Sequence, residues 1–159
     1  MVAVHSTWVS PTAIRAEPSG LTFAIYDANG KTVVNVEEIK ISAVFGIPEG
    51  LKYIRSNILD VLREYKVTQA GIRVTESNSQ RINIERVQLE GVIQEAFASS
   101  SVSKYYVGQI SSISAKLGID RKSFKPFASA EEEYPIENWN THTNNAREAI
   151  LCAIGAANV

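Results

Sequence analysis

TAIRAEPSGLTFAIYDANGKTVVNVEEIKIS, residues 12–42, contains three strand-like runs separated by two turns. The runs are 12–17, 21–27 and 32–42, in which apolar and polar residues interleave as they do along a pleated strand. Pro-Ser-Gly at 18–20 and Ala-Asn-Gly-Lys at 28–31 supply the joints, where proline presets φ and glycine takes conformations closed to other residues. Connections this short join antiparallel neighbours, so the spacing predicts a three-stranded meander.

Downstream of the meander the period changes. Pro48 can open a helix over 48–66, in which Leu51, Ile54, Ile58, Val61, Leu62 and Tyr65 recur at helical spacing. Residues 67–75 read as a strand with Ala70, Ile72 and Val74 alternating, ending at Glu76. A second amphipathic helix carries Leu89, Val92, Ile93, Ala96 and Phe97 on one stripe. Residues 104–110 read as a further strand and 111–117 as a short helix halted near Gly118. Residues 119–140 read as irregular, and a helix from about Thr143 closes the chain. Helical crossovers between strands make the second half of the sheet parallel, so 67–75 is expected beside and parallel to 12–17. The result is an α/β fold with a mixed sheet covered by helices.

The 159 residues suit a single domain with a real core, being 45% apolar and 21% charged. The longest apolar run, AILCAIGAA at 149–157, is too short to span a bilayer, and MVAVHSTWVSP has no secretory pattern. Together with a lone cysteine, Cys152, that points to a reducing cytoplasm, with Cys152 itself a small buried hydrophobe. His5 and His142 are too few and too far apart for a zinc site, and the glycines form no nucleotide-binding fingerprint. The net charge of −1 runs against a general nucleic-acid binder, but RKSFK at 121–125 forms a compact basic cluster and EEE at 131–133 an acidic one.

Three stretches carry a family resemblance. AIRAEPSGLTFAIYDANGK, IRVTES and NNAREAILCA resemble, in this order, the metal-site motifs of the RuvC-type branch of the RNase H-like superfamily, which includes Holliday-junction resolvases. Glu17 falls on the family's aspartate before a Pro-Gly-like turn, and Glu76 on the glutamate ending its fourth strand. Asn145 and Glu148 fall on two aspartates of its closing helix. A weaker match, ISSISAKLGIDRK, places Lys116 and Gly118 on that family's helix with a lysine shortly before a glycine.

The resemblance implies one RNase H-like domain over 1–159: a five-stranded mixed sheet, three antiparallel strands then parallel ones, with helices on both faces. From its own alternation, VAVHSTWV at 2–9 would make residues 1–11 an N-terminal edge strand or arm, or would take the place of 12–17 as the first central strand. The resemblance implies a metal-dependent endonuclease acting on branched or structured DNA with two Mg²⁺ or Mn²⁺ ions. Glu17, Glu76 and Glu148 would be the catalytic carboxylates, with Asn145 a further metal ligand. Such ions need clustered oxygen ligands so that two dications sit roughly 3.5–4 Å apart. Lys116, Arg121, Lys122 and Lys125 are the candidate phosphate contacts, and a homodimer is a further expectation. Two departures, Glu for Asp at 17 and Asn for Asp at 145, and the mild acidity favour the alternative of a non-catalytic domain that binds nucleic acid or protein, whereas the survival of three carboxylates favours the enzyme, which is the leading expectation. Each acid also has a plainer reading: Glu17 as a turn residue, Glu76 as a strand-end acid, Glu148 as a first-turn charge on a helix.

Overall fold

A computed structural model describes residues 10–159. The three leading strands form as the turn chemistry predicts: β1 (Thr12–Glu17), β2 (Gly20–Asp27) and β3 (Thr32–Lys40), each antiparallel to the next. The first turn is tight, with Glu17 paired to Gly20 across Pro18 and Ser19. Gly20 is required there: a Cβ would sit 2.1 Å from the carbonyl oxygen of Ile39 on β3.

Helix α1 (Ile47–Glu64), with Pro48 in its first turn, carries the chain across to β4 (Gln69–Arg73), and α2 (Ile84–Ala98) carries it on to β5 (Lys104–Gly108). β4 lies parallel to β1, with Ile14 beside Ile72 and Arg15 beside Arg73. The sheet order is β3-β2-β1-β4-β5, which puts β1 at the centre. The expected first strand at 12–17 is therefore the central one, whereas most of the expected arm at 1–11 lies outside the described residues. β4 is shorter than the run 67–75 suggested, so Glu76 sits in the loop three residues beyond the strand.

The remaining helices are α3 (Ile110–Leu117), α4 (Phe124–Ser129) and α5 (Asn144–Ala156). α4 corrects the expectation of irregular chain across 119–140; with only six residues and Pro126 inside it, its pattern is too brief to register as helical periodicity.

Two cores cover the two faces of the sheet. Ile14, Ala16 and Ile72 face Ile54, Ile58 and Leu62 of α1 and Leu89 and Ile93 of α2. Ala13 and Ala24 face Ile150 and Ala153 of α5, with Ile113 of α3 and Phe124 of α4 completing that layer. The alanines of α5 let it lie close to the strands: Ala146, Ala149, Ala153 and Ala156 are all buried. Its N-terminus is fixed by the Thr143 hydroxyl, which accepts from the Ala146 amide at 3.1 Å.

The approach of α5 explains one glycine and one cysteine. A Cβ at Gly71 would meet Cys152 Sγ at 2.9 Å and the Tyr106 ring at 2.6 Å. The Tyr106 hydroxyl donates to the Cys152 carbonyl at 2.8 Å, and burial pushes the Cys152 thiol up to about 12. Cys152 is thus the packed hydrophobe expected from sequence. Gly71→Ala is expected to lower stability by about 1–3 kcal/mol, since strand and helix must part to admit a methyl group. Denaturant unfolding followed by circular dichroism measures the loss.

Candidate site at the ends of the central strands

Arg15 and Arg73 are cross-strand neighbours on β1 and β4, and side chains alternate along a strand. Ile14 and Ile72 point to the α1–α2 core, so the two arginines point to the α5 face. Both reach the same atom there. Nε of Arg15 donates to Oε1 of Glu148 at 3.1 Å, and Nε of Arg73 donates to that oxygen at 2.8 Å. Oε2 of Glu148 accepts from Asn144 Nδ2 at 3.2 Å, one helical turn before it.

The rest of each guanidinium is tied to backbone or to a second acid. Nη1 of Arg15 donates to the Ala16 carbonyl, and Nη1 of Arg73 to the Val74 carbonyl. Nη1 of Arg73 also donates to Glu76 Oε2 at 2.7 Å. That same oxygen of Glu76 accepts from the amide of Ile110, the first residue of α3, at 2.9 Å, so Glu76 acts as an acidic cap on that helix. The Arg73 guanidinium carbon lies 5.4 Å from the centre of the Phe124 ring, which brings α4 against the cluster.

Glu148 is 8% exposed. Burial works against its ionisation, but the charges of Arg73 and Arg15 and their hydrogen bonds outweigh it and hold the carboxyl below its ordinary value. The site is completed from α2. Nε of Arg86 lies 3.0 Å from Glu90 Oε2, and that oxygen accepts from the amide and hydroxyl of Thr75 at 2.8 and 3.0 Å.

The structure distributes the expected site residues as follows. Glu76 and Glu148 come together on Arg73, at one end of the sheet. Glu17 ends β1, half-buried, and no hydrogen bond or ion pair joins it to the other two among the described residues. Asn145, expected beside Glu148, makes no hydrogen bond to it; Asn144 makes that contact. Arg121, Lys122 and Lys125 are exposed on the 121–129 segment. Lys116 is half-buried, its Nζ 5.2 Å from the centre of the Tyr106 ring.

The donor set does not suit two divalent cations. Three nitrogen donors already surround the Glu148 carboxylate, and two of them carry positive charge that would repel a dication. Among the described residues no group of three or more His, Cys, Asp or Glu is placed to hold a metal ion. Sequence reading missed Arg15 and Arg73, although a signal was present. AIRAE and GIRVTE each carry an Ile-Arg pair, and an arginine on the covered face of a central strand demands an acid from the helix above it.

Glu148→Gln is expected to cost about 3–5 kcal/mol, because it leaves the buried Arg73 and the part-buried Arg15 without their counter-charge. The pH dependence carries the same signature. A carboxyl held low in the folded state stabilises fully above its unfolded pKa near 4.5, and that contribution is lost as pH falls through the folded value. Urea titrations across the acid range should therefore show wild-type stability falling below about pH 4.5, with a shallower fall in Glu148→Gln.

No family model matches the chain, and no curated protein matches it by sequence. Solved structures do. The Thermus thermophilus RuvC structure aligns with a TM-score of 0.65 at 14% identity, covering 95% of this chain and 93% of that one. T. thermophilus RuvC in complex with Holliday junction substrate aligns with a TM-score of 0.65 at 12% identity, covering 94% and 92%. At such identities the likeness speaks to architecture, and the five-stranded mixed sheet with its helices matches it: this chain has the RuvC-like form of the RNase H-like fold.

Proposed function

We propose that this chain is a non-catalytic, metal-independent RNase H-like domain that binds branched or structured DNA. The observation that carries the reading is the pairing of Glu148 with Arg15 and Arg73. Where the sequence resemblance implied a ligand for dications, the carboxylate is neutralised by fixed cations of the protein itself. Hydrolysis by two metals needs ions to activate water and to stabilise the leaving oxygen. A site filled by guanidiniums supplies neither ion, but it retains groups suited to phosphate.

Binding follows from position. α4 abuts Arg73 through Phe124; it carries the exposed Lys125, and the exposed Arg121 and Lys122 lie just before it. Together they would offer the duplex backbone a local positive face on a chain whose overall charge is only −1. Branched DNA is the favoured substrate because the structurally similar T. thermophilus RuvC was solved with a Holliday junction.

The other reading, a Mg²⁺- or Mn²⁺-dependent nuclease built on Glu17, Glu76 and Glu148, draws on the approach of Glu76 and Glu148 to one arginine. One experiment separates the two. The protein is mixed with four-way and linear duplex DNA, in EDTA and then in Mg²⁺ or Mn²⁺. Binding is expected to persist in EDTA and to favour the four-way junction, with no nicking in either metal. Replacing Arg121, Lys122 and Lys125 together with Glu should weaken binding and flatten its salt dependence by roughly 0.9 per phosphate contact removed. Metal-dependent nicking that Glu148→Ala abolishes would instead establish the nuclease.

A further inference from the structure

Arg86 takes no part in holding Glu148, yet its partner Glu90 bonds Thr75, two residues past Arg73, and the charges of Arg15 and Arg73 both bear on Arg86. Its Nε and Nη2 are buried and have no hydrogen-bond partner among the described residues; Nε is near Glu90 but turned away from a hydrogen-bonding angle. A buried donor left unpaired costs about 1–3 kcal/mol, and more when it carries charge. The Arg86 charge is also poorly compensated. Burial first, and then the neighbouring charge of Arg15, push its pKa down despite the opposing carboxylate of Glu90. A protein holding a third guanidinium in such a place has an obvious complement in an anion.

We propose that Arg15, Arg73 and Arg86 form a metal-free oxyanion site at the ends of β1 and β4, which takes a phosphate group. Three elements supply the three forks: β1, β4 and α2. The planar carboxylate of Glu148 already fills the space between Arg15 and Arg73, which fixes both forks in place. Arg86 brings the unspent donors. Side chains of Arg15 and Arg86 each keep 16% exposure, so the cluster borders solvent, with Nε and Nη2 of Arg86 on its inner side. If Arg86 turns from Glu90, Glu90 Oε2 still accepts from the Thr75 amide and hydroxyl. Phosphate offers several oxygens in a tetrahedral array, which guanidinium forks approaching from different directions can share.

The nature of the phosphate, a DNA backbone group or a free anion, rests on the function proposed above; the site itself does not. The test titrates inorganic phosphate, in EDTA, into the wild type, Arg86→Gln and Arg86→Lys, with calorimetry and the arginine Nε–H signals in ¹⁵N NMR as readouts. Phosphate is expected to shift the Arg86 Nε–H signal. Arg86→Gln should weaken binding by about ten- to a hundredfold, the loss of one charge-assisted hydrogen bond or more. Arg86→Lys should recover part of it. Four-way DNA is titrated in parallel, and Arg86→Gln should weaken that binding as well.

An absence of phosphate binding, or equal binding in wild type and Arg86→Gln, overturns the oxyanion site whatever the DNA does. Phosphate binding that depends on Arg86, with no DNA binding at all, upholds the site and removes the DNA-binding function. Arg86 lies outside the Glu148 pairing, so its variants should fold; an unchanged far-ultraviolet spectrum checks this.

Discussion

Two arginines sharing one carboxylate oxygen is the arrangement on which the strand ends depend. Arg15 and Arg73 project from adjacent parallel strands onto the face that α5 covers, so Arg73 keeps almost no water around its charge and Arg15 little. Removing charge from water is expensive unless a partner of opposite sign is close and well oriented. Glu148 is that partner, and its place on α5 ties the helix to β1 and β4 at one point. Its neighbours then fall into line: Glu76 takes the second side of Arg73 and caps α3, and Phe124 lies against the same guanidinium.

The close seating of α5 is the other half of this arrangement. Small residues on the helix and Gly71 on β4 leave almost no space between helix and sheet. A larger separation would pull Glu148 away from both arginines, and pairs like these weaken sharply as partners part and water enters. Packing and electrostatics therefore set the same distance. The alanine-rich helix, unremarkable as a pattern, determines whether three charged groups can meet.

Most of the fold was legible because it rests on local chemistry. Pro18 to Gly20 and Ala28 to Lys31 force tight turns, and the spacing of Ile54, Ile58 and Leu62 gives the period of a helix that must cross the sheet. The site was legible only in part. Glu76 and Glu148 were singled out as functional acids, and both bond Arg73. Their partners were overlooked because attention to the apolar members of each strand, Ile14 and Ile72, passes over the residue next to them. One position along a strand is the opposite face. Asn145 was named through its match to a family aspartate, and Asn144, which makes the hydrogen bond to Glu148, had no such match, although on a helix both i+3 and i+4 lie near one face. Helix α4 escaped notice because six residues complete fewer than two turns.

The shared carboxylate also bears on how such a site could change over generations. Positions 15, 73 and 148 are viable as a set, and each single replacement by a residue of another charge passes through a folded state with an unmatched charge in its interior. An acid at position 15 would face Glu148 with only Arg73 to offset the two of them. The set therefore changes only through coordinated substitutions or a period of lowered stability. The arrangement acts as a ratchet, holding its present chemistry in place even where selection for that chemistry is weak.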